Sequence, residues 1–281
     1  MGPLGQVALA GEALWRTLAQ MRSGRLWIPW LALFGAQLAA LLVLIGFAHP
    51  ALSWCMTPLV GALAGGAALH YPGFFRALPA LHARADVVLA VLPGALVVGW
   101  ATGLFAARWR GEVPGPRTAW DLTVRRAGAL ILASLPAPLL GALVTAALER
   151  ATAGESGLAR RIAWLTSLGG VVVVRACFLY VPPLVVLGGR GLRGALAALP
   201  RAWGSGFWAA LALEAALAAP LLAFGRSGWS GDWLVERGRP ELVTWLMIAQ
   251  NAVGLARSFL LAGAATLVYL GAVADPPGKG R

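Results

Sequence analysis

The sequence is short of charge. Only 12% of its 281 residues are Asp, Glu, Lys or Arg, against about 25% in an ordinary soluble domain. With 59% hydrophobic residues and a mean hydropathy of +0.75, that scarcity excludes a soluble globular domain. It also excludes a disordered chain, which needs low hydrophobicity and high charge. There are only two cysteines, Cys55 and Cys177, and Cys177 lies inside an apolar run, so a disulfide framework is not expected. Walker A, H-E-x-x-H, G-x-S-x-G and C-x-x-C patterns are all missing, and no loop is long enough for a separate soluble catalytic domain. Acids are scarcer than bases, 11 against 23, which leaves a net charge of +12. In a soluble protein that balance would suggest nucleic acid. Here the arginines sit at the ends of apolar runs, where they orient membrane helices and touch lipid headgroups; no nucleic-acid partner is expected.

What the sequence has in quantity is long apolar runs. Six are long enough for a membrane-spanning helix, which takes about 20 residues. They are Leu26–Phe47, Ala85–Ala107, Val124–Leu148, Ile162–Leu187, Gly206–Phe224 and Glu241–Val273. The first follows Arg16, Arg22 and Arg25 but exceeds a secretory h-region of roughly 7–15 residues, so it reads as an uncleaved anchor. A seventh run, Ala51–His70, is interrupted by Pro58, Gly61, Gly65 and Gly66. Counting it as a span would put either the N-terminus or a five-arginine loop (Arg108, Arg110, Arg117, Arg125, Arg126) outside, against the positive-inside rule. It is expected to be a re-entrant or interfacial hairpin on the outer side. The fold class is therefore an all-α polytopic helical bundle: six transmembrane helices plus that hairpin, with both termini cytoplasmic. The expected domains are a cytoplasmic amphipathic segment over 1–25, a membrane domain over 26–273 and a tail over 274–281. Lys279 is the only lysine; that bias, with the abundance of Ala and Gly, suggests a GC-rich bacterial genome and hence a bacterial inner membrane.

Tryptophan supports this topology. Trp27, Trp30, Trp109, Trp120, Trp203 and Trp208 fall at one face and Trp164, Trp229, Trp233 and Trp245 at the other, as two aromatic belts; Trp100 falls within a span. Leu4, Val7, Leu14, Trp15, Leu18 and Met21 recur at mostly helical spacing and predict an interfacial helix. The alternative is a frayed terminus. A shift of 76 residues lays Gly115, Arg117, Ala119, Arg125 and Gly128 on Gly191, Arg193, Ala195, Arg201 and Gly204. This suggests a parallel repeat in which a short basic helix, a Gly turn and a membrane helix follow one another. In a chain this rich in Gly, Ala and Arg, chance matching is the competing explanation.

The run Pro182-Pro183-Leu184-Val185-Val186, then Gly191, Ala195-Leu196, Arg201-Ala202-Trp203-Gly204 and Trp208, resembles the second half of several bacterial and archaeal six-span families. Among them is the membrane domain attached to some glycerophosphodiester phosphodiesterases. Leu199-Pro200-Arg201 departs from their pattern by placing Pro inside the expected interfacial helix. The resemblance covers about a third of the chain. It implies a six-span fold and no catalytic residue in the membrane part.

Three ionisable residues fall in mid-span: Arg175, Glu214 and Arg257. A charge at that depth costs about 2.5–3.5 kcal/mol on insertion scales, so they should face the interior and share one network. Gln250 shares a helix face with Arg257, and Asn251 is adjacent; both could line it. One reading is a structural interhelical salt bridge, the other a site for an anionic solute or lipid phosphate that uses the excess arginine. His49, His70, His82 and Cys55 are of metal-ligating type but lack ligand spacing, and no metal or cofactor is expected. Two pairs could supply acid/base chemistry, Glu112 with Asp121 and His82 with Asp86, and neither has a distinctive pattern. Three functions follow. The first is a non-catalytic subunit, scaffold or assembly factor of an inner-membrane complex. The second is a transporter or permease-like protein for a lipid or anionic solute, and the third an intramembrane lipid-modifying enzyme. The expected partners are membrane lipids, above all anionic headgroups at the cytoplasmic face, and other membrane proteins.

Overall fold

In a computed structural model of the chain, the described residues are 1–151, 157–226 and 231–274, and among them there is no strand. Glu155, Trp229, Lys279 and Arg281, and with the last two nearly all of the expected tail, lie outside the described residues. Thirteen helices follow one another: α1 Pro3–Ala19, α2 Gly24–Ile45, α3 Pro50–Ala64, α4 Gly73–Leu89, α5 Ala95–Trp109, α6 Pro116–Val124, α7 Ala127–Ser134, α8 Pro136–Ala151, α9 Leu158–Phe178, α10 Val181–Val186, α11 Leu192–Arg226, α12 Gly231–Glu236 and α13 Leu242–Val268. Among the described residues six stretches are long and apolar enough to cross a membrane: Gly24–Ala48, Gly73–Trp109, Ala127–Leu148, Ile162–Val186, Leu192–Ala219 and Leu242–Val273. The protein is an all-α polytopic membrane bundle. α3 is the short apolar helix within the seventh run. It starts at Pro50, where His49 Nδ1 accepts from Ala51 N at 3.3 Å, and stops at Gly65, whose φ of 80° favours glycine. Gly65 therefore ends a helix, and neither it nor Gly66 has a neighbour within reach of an added methyl group. Gly170 does pack closely, against Val144.

The helices gather into two compact units. One comprises Met1–Pro29, Gly94–Ala218 and Ser258–Arg281, the other Trp30–Pro93 and Ala219–Arg257. Alanine is the commonest residue in the core of the first, alongside Leu130, Tyr180, Leu184 and Val185. Lipid is as apolar as Leu, so helices in a membrane associate through close van der Waals contact, which small residues permit. The core of the second unit is built of larger side chains, among them Leu41, Phe47, Phe74, Leu78, Val243 and Met247.

The N-terminal helix exists, but its buried face is the small one. Gln6, Ala10, Ala13 and Thr17 are buried, while Leu4, Val7, Trp15 and Leu18 are exposed. Gln6 explains the docking. Its Nε2 donates to Gly204 O at 3.4 Å and its Oε1 accepts from Trp208 N at 3.1 Å. Those are the two ends of one i→i−4 pair in α11, so the side chain brackets a single helical turn. The large apolar residues are left facing outward, as an interfacial helix requires.

The suspected repeat holds at its start and fails at its end. Ala119 N donates to Gly115 O at 3.0 Å and Ala195 N to Gly191 O at 2.8 Å, and both alanines are buried. α6 then stops and turns through Arg125 and Arg126 before α7. α11 instead runs on for 35 residues through Pro200 and Gly204, with no turn. Arg126, counted in the sequence as a topology signal, caps a helix: its Nη1 donates to Val185 O and Val186 O at the end of α10. Trp30, placed in an aromatic belt by its position, is fully buried. Trp27 beside it stacks on Phe259 with ring centroids 4.3 Å apart.

Candidate functional site

The expected charge network needs correcting at one member. Glu214 is buried on α11 and Arg257 is half-buried on α13, and both are engaged by neighbouring groups. Arg175 is exposed. The sequence treats Ile162–Leu187 as one uninterrupted span with Arg175 in its middle. The helix instead ends at Phe178 and resumes at Val181, which puts Arg175 in the last turn of α9. There a cation complements the carbonyl end of the helix dipole. The two polar candidates also part company: Gln250 is exposed and Asn251 buried.

Asn251 leads to a site that the sequence leaves scattered. On α13, Val243, Met247, Asn251 and Leu255 recur every four residues and are all buried. On α4 the buried face is Phe74, Leu78, Leu81 and His82. Each stripe therefore carries one polar residue in an otherwise apolar series, and the two meet: Asn251 Nδ2 lies 3.1 Å from His82 Nε2. The sequence puts all three histidines at the ends of apolar runs as interfacial residues. His49 and His70 are exposed, but His82 is only 3% exposed. The helix that carries the second span starts at Gly73, so His82 lies within that helix, just before Ala85.

A helical turn further on, Asp86 Oδ2 is 3.5 Å from the same His82 Nε2. Gln37 Nε2 donates to Asp86 Oδ1 at 3.4 Å. Gln37 lies half-way along Gly24–Ala48, so the cluster of Gln37, His82, Asp86 and Asn251 is tied to the middle of a span. All four belong to the second unit.

The geometry gives His82 Nε2 two competing partners. When that nitrogen is bare, it accepts from the Asn251 amide. When it carries a proton, it donates to the Asp86 carboxylate, and Asn251 can turn its carboxamide to present oxygen. Nδ1, on the other edge of the ring, has no partner although it is buried; Gln37 Oε1 and Trp30 Nε1 are in the same condition. These three, all on α2 and α4, are the buried side-chain nitrogens and oxygens without a partner among the described residues. Leaving a buried polar group unmatched costs about 1–3 kcal/mol. Groups of this kind mark strain, catalysis or contact with a polar guest.

The remaining expected site residues stand apart. Cys55 is exposed, its Sγ 3.3 Å from Leu52 O. Glu112 and Asp121 are both exposed. Among the described residues no three His, Cys, Asp or Glu side chains gather as a metal site would require.

The second unit also holds a cavity of about 700 Å³ between α12 and the first turns of α13. Among the described residues, the charged ones in its lining are Arg237 and Arg239. In the sequence these arginines are balanced by Asp232 and Glu236; in the fold the arginines line the cavity and those acids do not. The neighbouring Glu241 is held by the Tyr71 hydroxyl, which donates to its Oε1 at 3.0 Å, and that bond pushes the phenol above its usual range.

No family model, no curated protein and no solved structure matches the chain. The resemblance to six-span families rests on the quoted residues alone. Of these, Pro182 and Pro183 occupy the first turn of α10, where proline is tolerated, and Pro200 lies within the continuous α11.

Proposed function

We propose that the chain is a permease-like membrane protein, without enzymatic activity of its own, that passes a polar or anionic solute through its second unit. The supporting observation is the cluster of His82, Asp86, Asn251 and Gln37, with the unmatched His82 Nδ1 and Gln37 Oε1 beside it. A structural network would satisfy its members; one that leaves two acceptor or donor atoms open inside a membrane span fits a passage for a polar guest. His82 could hand a proton between its two hydrogen-bonded arrangements as the guest passes. The scaffold reading, favoured by the absent catalytic motifs and the tight loops, is the alternative that the following test separates from transport. The arginine count supports a bacterial inner membrane with both termini cytoplasmic.

Thiol accessibility tests the proposal. With Cys55→Ser and Cys177→Ser as background, Gln37→Cys and Asn251→Cys should each react in intact vesicles with a membrane-impermeant methanethiosulfonate. Reaction should be far faster than at a lipid-facing control such as Leu42→Cys, which a charged reagent does not reach. A scaffold with a dry, packed core predicts no reaction at either position.

A further inference from the structure

We propose that the cavity between α12 and α13 is a binding site for an anionic phospholipid, with the phosphate on Arg237 and Arg239 and an acyl chain along α13. The volume of about 700 Å³ lies within the range of ligand sites. The lining is divided by chemistry. The two arginines stand just before α13 begins; beyond them the wall is Leu242, Trp245 and Leu246, with Ala249 a further turn along. Positions 242, 245, 246 and 249 form one helix face running about 10 Å inward from the arginines. Leu242 and Trp245 are exposed on it. A free anion would use the arginines and leave this face bare. A phospholipid uses both.

The arginines are suited to phosphate. The Arg237 guanidinium sits 4.4 Å over the Trp233 ring. Stacking holds its plane and leaves the N–H edge for a bidentate contact, which phosphate oxygens match. Among the described residues neither arginine is paired with a carboxylate in a salt bridge; Glu236, next to Arg237, does not line the cavity, and Glu241, two residues after Arg239, is occupied by Tyr71. A zwitterionic lipid brings a quaternary or primary ammonium that two arginines repel, so the site should discriminate by net charge. The inference stands whether or not water reaches Asn251, so it can fail separately from the transport proposal.

The test is native mass spectrometry of the full chain after exchange into vesicles of equal parts phosphatidylglycerol and phosphatidylcholine. The chain should retain phosphatidylglycerol in preference by roughly tenfold, the ratio that one charge-assisted contact can supply. Arg237→Gln with Arg239→Gln should abolish the preference, while Arg110→Gln, an exposed arginine elsewhere, should leave it intact. Arg237→Lys with Arg239→Lys keeps the charge, guards against misfolding of the neutral pair, and should show an intermediate preference. Equal retention of the two lipids, or a preference that survives the glutamine pair, overturns the proposal. So does stabilisation by inorganic phosphate, in lipid-free detergent, as large as that given by phosphatidylglycerol, since the site would then take the free anion.

Discussion

Gly263→Val should lower the apparent Tm of the purified protein by roughly 5–10 °C, the effect of overpacking by about 3 kcal/mol. Gly263 is buried on α13, facing α1 and α5 within the first unit. A Cβ there would meet Phe105 Cε1 at 2.8 Å and Phe105 Cζ at 2.9 Å and collide with the Thr17 methyl group. The Trp109 indole donates to the Gly263 carbonyl at 3.1 Å, so α13 cannot withdraw without losing that bond as well. Phe105 is fully buried and stacks edge-on against Phe259, which leaves its ring no room to turn. Gly35→Ala and Gly254→Ala are the controls. An added methyl at either meets nothing within 4 Å, and both glycines lie inside helices. They should be neutral, or stabilising by up to about 1 kcal/mol, because alanine loses less backbone freedom in a helix. Equal effects at all three positions would mean that the glycines do not set helix approach.

The second large effect concerns the polar cluster and separates stability from function. His82→Ala should destabilise by about 1–3 kcal/mol, since it strands the buried Asn251, whereas Asp86 keeps Gln37. Asn251→Ala should cost a similar amount, and the double variant much less than the sum, with a coupling of about 0.5–3 kcal/mol for groups in one network. Replacing both partners by apolar groups is close to neutral in stability. His82→Leu with Asn251→Leu should therefore keep the parental unfolding temperature while losing thiol access at position 37. A structural network would show the stability pattern alone, with thiol access at position 37 absent already in the parent.

The spans were legible because apolar runs near the length of a bilayer core admit one interpretation. Pro50 and Gly65 likewise bound α3, which runs through Pro58 as one helix of 15 residues, below the length of a span. The start of the helix that carries the second span was not legible: Arg76, His82, Arg84 and Asp86 lower its hydropathy, and the apolar run begins at Ala85 although the helix starts at Gly73. That displacement hid His82 among interfacial residues. The signal that would have found it is the buried stripe, in which a lone His or Asn replaces one apolar member at helical spacing. Counting charges by span pointed instead to Arg175, which a helix break near Tyr180 moves to a helix end. Arg237 and Arg239 stand close to Asp232 and Glu236 in sequence, and only the fold puts the arginines in the cavity wall without those acids. Gln6 carried no charge and drew no notice, though it brackets a turn of α11 from 198 residues away in sequence.

The most direct measurement is the nitrogen spectrum of His82 in bilayers, with His49→Asn and His70→Asn so that it is the only imidazole. The proposal predicts magnetisation transfer from water to the unmatched Nδ1, because a polar passage brings water to that edge of the ring. No transfer from water to Nδ1 would contradict it and leave the cluster a sealed structural contact.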